Sequence, residues 1–163
     1  MQTNFVIFVS FLINIDMKNI MTDPDNQLGY LLMQVSFLKQ RIVNAALKEL
    51  DITYIQFVIL AGTYELGGEN GVVTQQDIAD KRRLDKAMVS NVVKALIGKG
   101  LMNRYMHPVD GRAYALSLTS EGEKMAVEGK KIALKVDQTF FAGIDQEALF
   151  NTLSFLIENG ELS

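Results

Sequence analysis

The sequence predicts a mostly helical fold with one small β-hairpin, an α+β arrangement in which long helices flank a compact lobe. Three observations carry this expectation. Apolar residues recur at three- and four-residue spacing over most of the chain. Two short helix patterns meet at a junction of about three residues near position 84. Alternating apolar residues then surround Asp110-Gly111, a strong hairpin signal whose turn favours positive φ at its centre.

The helices follow in order. From 27 to about 50 an amphipathic pattern runs through Leu28, Leu31, Leu32, Val35, Leu38 and Ile42. A second helix is expected to start at Asp51 as N-cap, with Ile55, Val58, Ile59 and Leu60 in its body, and to end at Gly67-Gly68. Asn70-Gly71 reads as a turn. Thr74-Gln75-Gln76-Asp77 then has capping-box form and opens a short helix. Asp85 caps the next, whose Val89, Val92, Val93 and Leu96 lie on one stripe, and the stop comes at residues 98–100.

Residues 101–106 are short enough for a strand, and a second strand runs to Leu118. Its Tyr114, Leu116 and Leu118 are expected on one face, with Ala113, Ala115 and Ser117 on the other. Thr119 caps a long helix that reaches about Phe141, with Glu121 and Glu123 near its positive end. Gly143 and an Asp145 cap open the last helix, apolar through Leu149, Leu153, Leu156 and Ile157.

The first 26 residues stand apart. Phe5 to Ile13 is apolar, yet nine residues cannot span a bilayer as a helix, which needs about 20. The segment also lacks the basic start and small-residue cleavage site of a secretory signal. Met17 and Met21 are alternative start positions, and Pro24 separates this extension from the helix that follows. No stable membrane association is expected, and a cytoplasmic location is.

Composition narrows function before any motif is read. With 163 residues the chain is long enough to bury a real core. The absence of cysteine removes disulfides, thiolate nucleophiles, zinc–thiolate sites and thiol switches. A single histidine, His107, leaves almost no room for His-based catalysis or metal binding. Nothing supplies a nucleophile and base together, and Asp145 and Glu147 are explained by helix capping. No enzyme, metal or cofactor is expected.

Charge points elsewhere. The formal total is −3, but residues 81–112 hold eight cations (Lys81, Arg82, Arg83, Lys86, Lys94, Lys99, Arg104, Arg112) against Asp85 and Asp110, a net +6. A basic zone on an acidic body suits a face that meets an anionic polymer; the plainer reading is a solvated run of charge. A helix-turn-helix followed directly by a hairpin is a winged helix, and that geometry gives the lone arginine a role. A recognition helix fits the major groove, about 12 Å wide. The hairpin tip beside it reaches the minor groove, where Arg112 would be drawn in. Asp110 would hold its guanidinium by a charge-assisted bond.

On the expected recognition helix, Lys86, Ser90 and Lys94 form a row opposite the valine stripe, with Ala87 and Asn91 beside it. Lys86, Ala87, Ser90 and Asn91 are candidates for reading base edges. Lys81, Arg82, Arg83 and Lys94 are candidates for phosphates, which position without specifying.

The stretch IADKRRLDKAMVSNVVKALIGKGLMNRYMHPVDGRAYALSLTSEGEKM resembles the core of the multiple antibiotic resistance regulator (MarR) family of bacterial winged-helix proteins. The matches are Val89-Ser90, Leu96, Lys99-Gly100-Leu101 with Arg104, the wing pair Asp110-x-Arg112, and Leu118-Thr119-x-x-Gly122. Gly98 departs from the pattern, standing where a charged helix former is usual, and is expected to fray the last turn. The resemblance covers residues 27–162 as one domain, with 51–119 as the winged lobe and 27–50 and 120–160 as dimerisation helices. It implies a homodimeric DNA-binding transcriptional regulator, more often a repressor, on a near-palindromic double-stranded operator. It also implies that Arg112 enters the minor groove, that Asp110 orients it, and that a small aromatic or phenolic effector binds between the dimer helices and the lobe. The alternative is a winged-helix protein-interaction module without DNA binding.

Overall fold

The computed structural model describes residues 27–160, so the apolar 5–13 segment, Met17, Met21 and Pro24 lie outside the described residues. The elements are α1 (Leu28–Ala46), a 3-10 turn (Lys48–Leu50), α2 (Tyr54–Asn70), β1 (Val73–Thr74), α3 (Gln75–Arg82), α4 (Lys86–Gly98), β2 (Met102–Met106), β3 (Tyr114–Leu118), α5 (Ser120–Phe140) and α6 (Gln146–Gly160). The architecture is mostly helical with one small antiparallel sheet of strand order β1-β3-β2. The described residues divide into two units between Arg41 and Ile42, inside α1.

The second unit is built around one apolar core. Leu47, Ile59, Leu60, Ile78, Val89, Val93, Leu96, Met102 and Leu116 are its fully buried large side chains. They come from α2, α3, α4, the turn after α1 and both long strands, and α2 is covered by α3, α4, α5 and β3. The valine stripe of α4 is buried as its spacing predicts; Val92 is half-buried at its margin. On β3, Ala115 and Leu116 are both buried, against the expected single apolar face. Besides pairing with β2 and with Val73-Thr74, β3 packs against α2, α3 and α5.

Four caps stand where the sequence places them, Asp145 among them, which accepts from the Ala148 amide at 2.9 Å. Thr74 and Asp77 close a capping box at α3, Asp85 accepts from the Met88 amide at 2.9 Å, and Thr119 accepts from the Gly122 amide at 3.0 Å. Two boundaries differ. Asp51 does not cap α2: it sits in the left-handed region (φ 51°) and closes the 3-10 turn, while Thr53 and Gln56 form the capping box. Gly67-Gly68 does not end α2 either; the helix runs on to Asn70 and stops at Gly71, whose φ is 72°.

The expected fraying at Gly98 is also corrected. Gly100, at φ 71°, allows the Leu101 amide to bond the Leu96 carbonyl (3.0 Å) and its own amide to bond Ile97 (2.9 Å). Lys99 at that terminus reaches back to the backbone carbonyl and the carboxylate of Asp51, so the last turn of α4 is held at both its backbone and a side chain.

Each terminal region leaves apolar surface exposed. On the first unit's part of α1, Leu28, Leu32, Val35 and Phe37 are exposed. On α6, Phe150 is 69% exposed, Phe155, Leu156 and Ile157 are exposed too, and no residue of the helix is buried.

Candidate nucleic-acid interface

The two helices of the motif, α3 and α4, are joined by Arg83, Leu84 and Asp85. Arg83 turns the chain in the left-handed region (φ 49°, ψ 47°), an uncommon conformation for a side chain this large. Its amide and that of Leu84 close the end of α3 on the Asp80 and Ala79 carbonyls. With Val89, Val93 and Leu96 buried beneath it, α4 presents Lys86, Ala87, Asn91 and Lys94 to solvent, and Ser90 is half-buried. Lys86 and Lys94 form no ion pair among the described residues.

The wing is the β2–β3 hairpin, paired from Met102↔Leu118 to Met106↔Tyr114 and closed by residues 107–113. Its loop is not the tight Asp-Gly turn with positive φ that the sequence predicts, since Gly111 and Arg112 are absent from the positive-φ residues. Instead a turn over 110–113 is closed by the Ala113 amide on the Asp110 carbonyl at 3.0 Å. Arg112 sits exposed at the second central position of that turn. Asp110 does touch Arg112, but at its backbone: Oδ1 accepts from the Arg112 amide at 2.9 Å. The expected guanidinium bond is therefore replaced by an Asx-type turn that fixes the arginine's main chain and leaves its head unpaired among the described residues.

The basic zone is sorted by this geometry. Lys81 and Arg83 are exposed, as expected. Arg82 is not available to phosphate as expected: its Nη2 lies 2.8 Å from Glu65 Oε2 on α2, and its Nε is buried without a partner among the described residues. Lys99 and Arg104 also meet partners within the protein. Lys99 holds Asp51, and Arg104 lies 3.7 Å above the Tyr114 ring across the wing. Glu65 also approaches Lys130 of α5 at 3.8 Å, so one carboxylate joins three helices. The Glu65–Arg82 and Arg104–Tyr114 partners are separated by 17 and 10 positions, and no local sequence signal pairs them.

Removing Glu65 leaves the half-buried guanidinium without its acceptor, a cost of about 1–3 kcal/mol. Glu65→Ala is therefore expected to lower the thermal midpoint by several degrees. Lys130→Ala, 62% exposed and at longer range, is expected to leave it nearly unchanged. Thermal denaturation of both variants compares the two.

A short helix pair with an exposed cationic second helix, and a hairpin whose tip carries an arginine, together define a winged helix-turn-helix of the kind that binds double-stranded DNA. A profile of the MarR family matches residues 52–114, the lobe just described. The uncharacterised HTH-type transcriptional regulator YdcH of Bacillus subtilis is 38% identical over 119 residues, covering 73% of this chain and 81% of that protein. This chain belongs to the MarR family of DNA-binding transcriptional regulators. Among solved structures, the MepR–DNA complex of Staphylococcus aureus shares the fold with a TM-score of 0.72 at 26% identity, over 82% of this chain and 96% of that one. CouR of Rhodococcus jostii, solved with p-coumaroyl-CoA, gives a TM-score of 0.70 at 23% identity, over 83% and 92% of the two chains. No helix among the described residues is long and apolar enough to cross a membrane, and no metal-ligand cluster occurs among them.

Proposed function

We propose that two copies of this chain form a dimer in the cytoplasm, seat their α4 helices in successive major grooves of a near-palindromic operator and repress the promoter beneath. The observation that carries this reading is the exposed row Lys86, Ala87, Asn91 and Lys94 on a helix whose opposite face is locked in the core. Asn91 suits adenine and Lys86 suits guanine, each through its major-groove edge. Arg112, presented by the Asp110 turn, suits the narrow negative minor groove. Lys81, Arg83 and Lys94 suit phosphates; Arg82 no longer does. The exposed apolar faces of α1 and α6 favour the dimer.

A groove of about 460 Å³ between α2 and α5 suits an effector. Ala61, Tyr64, Val127 and Leu134 give it apolar walls, with Lys130, Lys131 and Glu65 among its lining residues. Flat aromatic carboxylates or phenolates match that lining. An anion paired with Lys130 would compete with Glu65, whose other partner is Arg82 at the end of α3. Occupancy of the groove would then bias the helix-turn-helix between arrangements that fit DNA differently.

The test is to isolate genomic fragments that co-purify with the protein and titrate them across salt. Three cations per protomer on phosphates give a slope of log K against log[salt] of about −5 for the dimer. A response without salt dependence contradicts DNA as the ligand and favours the protein-interaction reading.

A further inference from the structure

The loop that presents Arg112 has no packing to hold it. Pro108, Val109, Asp110, Gly111 and Arg112 are all exposed, Val109 by 90%. Its shape therefore rests on local hydrogen bonds. Asp110 supplies one of them, described above. The histidine that opens the loop supplies two more: Nδ1 of His107 accepts from the Asp110 amide at 3.0 Å and from the Val109 amide at 3.2 Å. Its own amide donates to the Ala113 carbonyl at 3.1 Å, so His107 also closes the base of the loop.

A side-chain acceptor bonding amides two and three residues on, with proline between, is the arrangement that aspartate and asparagine make in Asx turns. An imidazole performs it here because Nδ1 stands the same number of bonds from Cα as Asn Oδ1. An imidazole nitrogen accepts only when it carries no proton, which leaves Nε2 as the ring's donor. The two locks act in series. His107 fixes the amides of Val109 and Asp110, and the carboxylate of Asp110 so placed fixes the amide of Arg112.

We propose that His107 is a positioning residue for operator binding, acting through Arg112 by holding the wing loop in the shape that presents it. This rests on the reading of Arg112 as a groove contact. At neutral to mildly alkaline pH, His107→Ala is expected to weaken operator binding by about 5- to 30-fold, a large part of the loss on Arg112→Ala. In the Arg112→Ala background the same change is expected to shift affinity by less than about twofold, since coupled positions are not additive. His107→Asn, which restores an acceptor at the same reach, is expected to bind within about twofold of the parent protein. In the free protein, exchange of the Val109 and Asp110 amides is expected to quicken in His107→Ala and not in His107→Asn.

Four results overturn the proposal: His107→Ala binding as the parent does while Arg112→Ala binds weakly, the two losses adding in full, asparagine failing to restore affinity, or loop amides unchanged in His107→Ala. Arg112→Ala binding as well as the parent overturns the groove reading itself and this proposal with it. That outcome is separate from the first four, because only it leaves the arginine silent.

Discussion

Gly122→Ala is expected to destabilise the winged lobe more than any other single-methyl change in the chain. A Cβ built on Gly122 lies 1.9 Å from the Leu101 carbonyl oxygen and 3.0 Å from its carbon. The obstacle is backbone, and that carbonyl is already fixed by accepting the Thr119 amide at 3.1 Å. Thr119 further ties the joint by donating its hydroxyl to the Gly100 carbonyl at 2.8 Å while capping α5. Neither side can yield without parting the start of β2 from the first turn of α5. Overpacking of a tight site costs about 1–3 kcal/mol, and a backbone clash belongs at or beyond the upper end. Against a total of about 5–15 kcal/mol this is a large share, so Gly122→Ala should melt about 10 °C lower or fail to accumulate folded.

Gly98→Ala provides the contrast. It is helical, nothing lies within 4 Å of its added Cβ, and alanine should raise stability by about 0.5–1 kcal/mol. Thermal melts of the pair decide the matter, because a glycine effect without the clash would move both in one direction.

The second large effect concerns assembly. The α6 face bearing Phe150, Leu156 and Ile157 is exposed by 69%, 50% and 46%, an arrangement that water disfavours and a second copy would cover. Phe150→Asp combined with Leu156→Asp places two carboxylates on that face, and a dimer would have to bury them unpaired. The variant is expected to sediment as a monomer with its melting temperature little changed, since neither side chain belongs to the core. Operator affinity should then fall by at least about 100-fold, because the second half-site no longer binds intramolecularly. A variant that stays dimeric assigns the assembly surface to other residues.

What the sequence could and could not reveal follows from the range of each interaction. The caps at Thr74, Asp85 and Thr119 were legible because a cap is a contact between residues two or three apart. The valine stripe of α4 was legible because its burial follows from period alone. Gly67 and Gly68 misled because their local cost, about 1 kcal/mol each, is outweighed by the packing of α2 against its neighbours. The two-residue strand at Val73 carries no pattern of its own and exists through pairing with Leu116 and Ala115.

The same division holds at the site. Lys86, Asn91, Lys94 and Arg112 could be placed by spacing, whereas the loss of Arg82 from the phosphate set required Glu65 to arrive from another helix. The wing turn departs from a tight Asp-Gly hairpin because His107, a residue type without strong turn propensity, supplies the bonds that shape it. Thr53-x-x-Gln56 is itself a capping-box pattern in the sequence, two residues beyond Asp51.

Methylation protection with dimethyl sulfate on a co-purified operator reads both grooves in one experiment, since it modifies guanine N7 in the major groove and adenine N3 in the minor groove. With α4 and Arg112 on one duplex, guanines should be shielded in two patches about one helical turn apart, with neighbouring adenines shielded as well. Arg112→Ala should lose the adenine protection and keep the guanine protection. Unshielded guanines under the parent protein, or adenine protection that survives without the arginine, would contradict a reading head made of this helix and this wing.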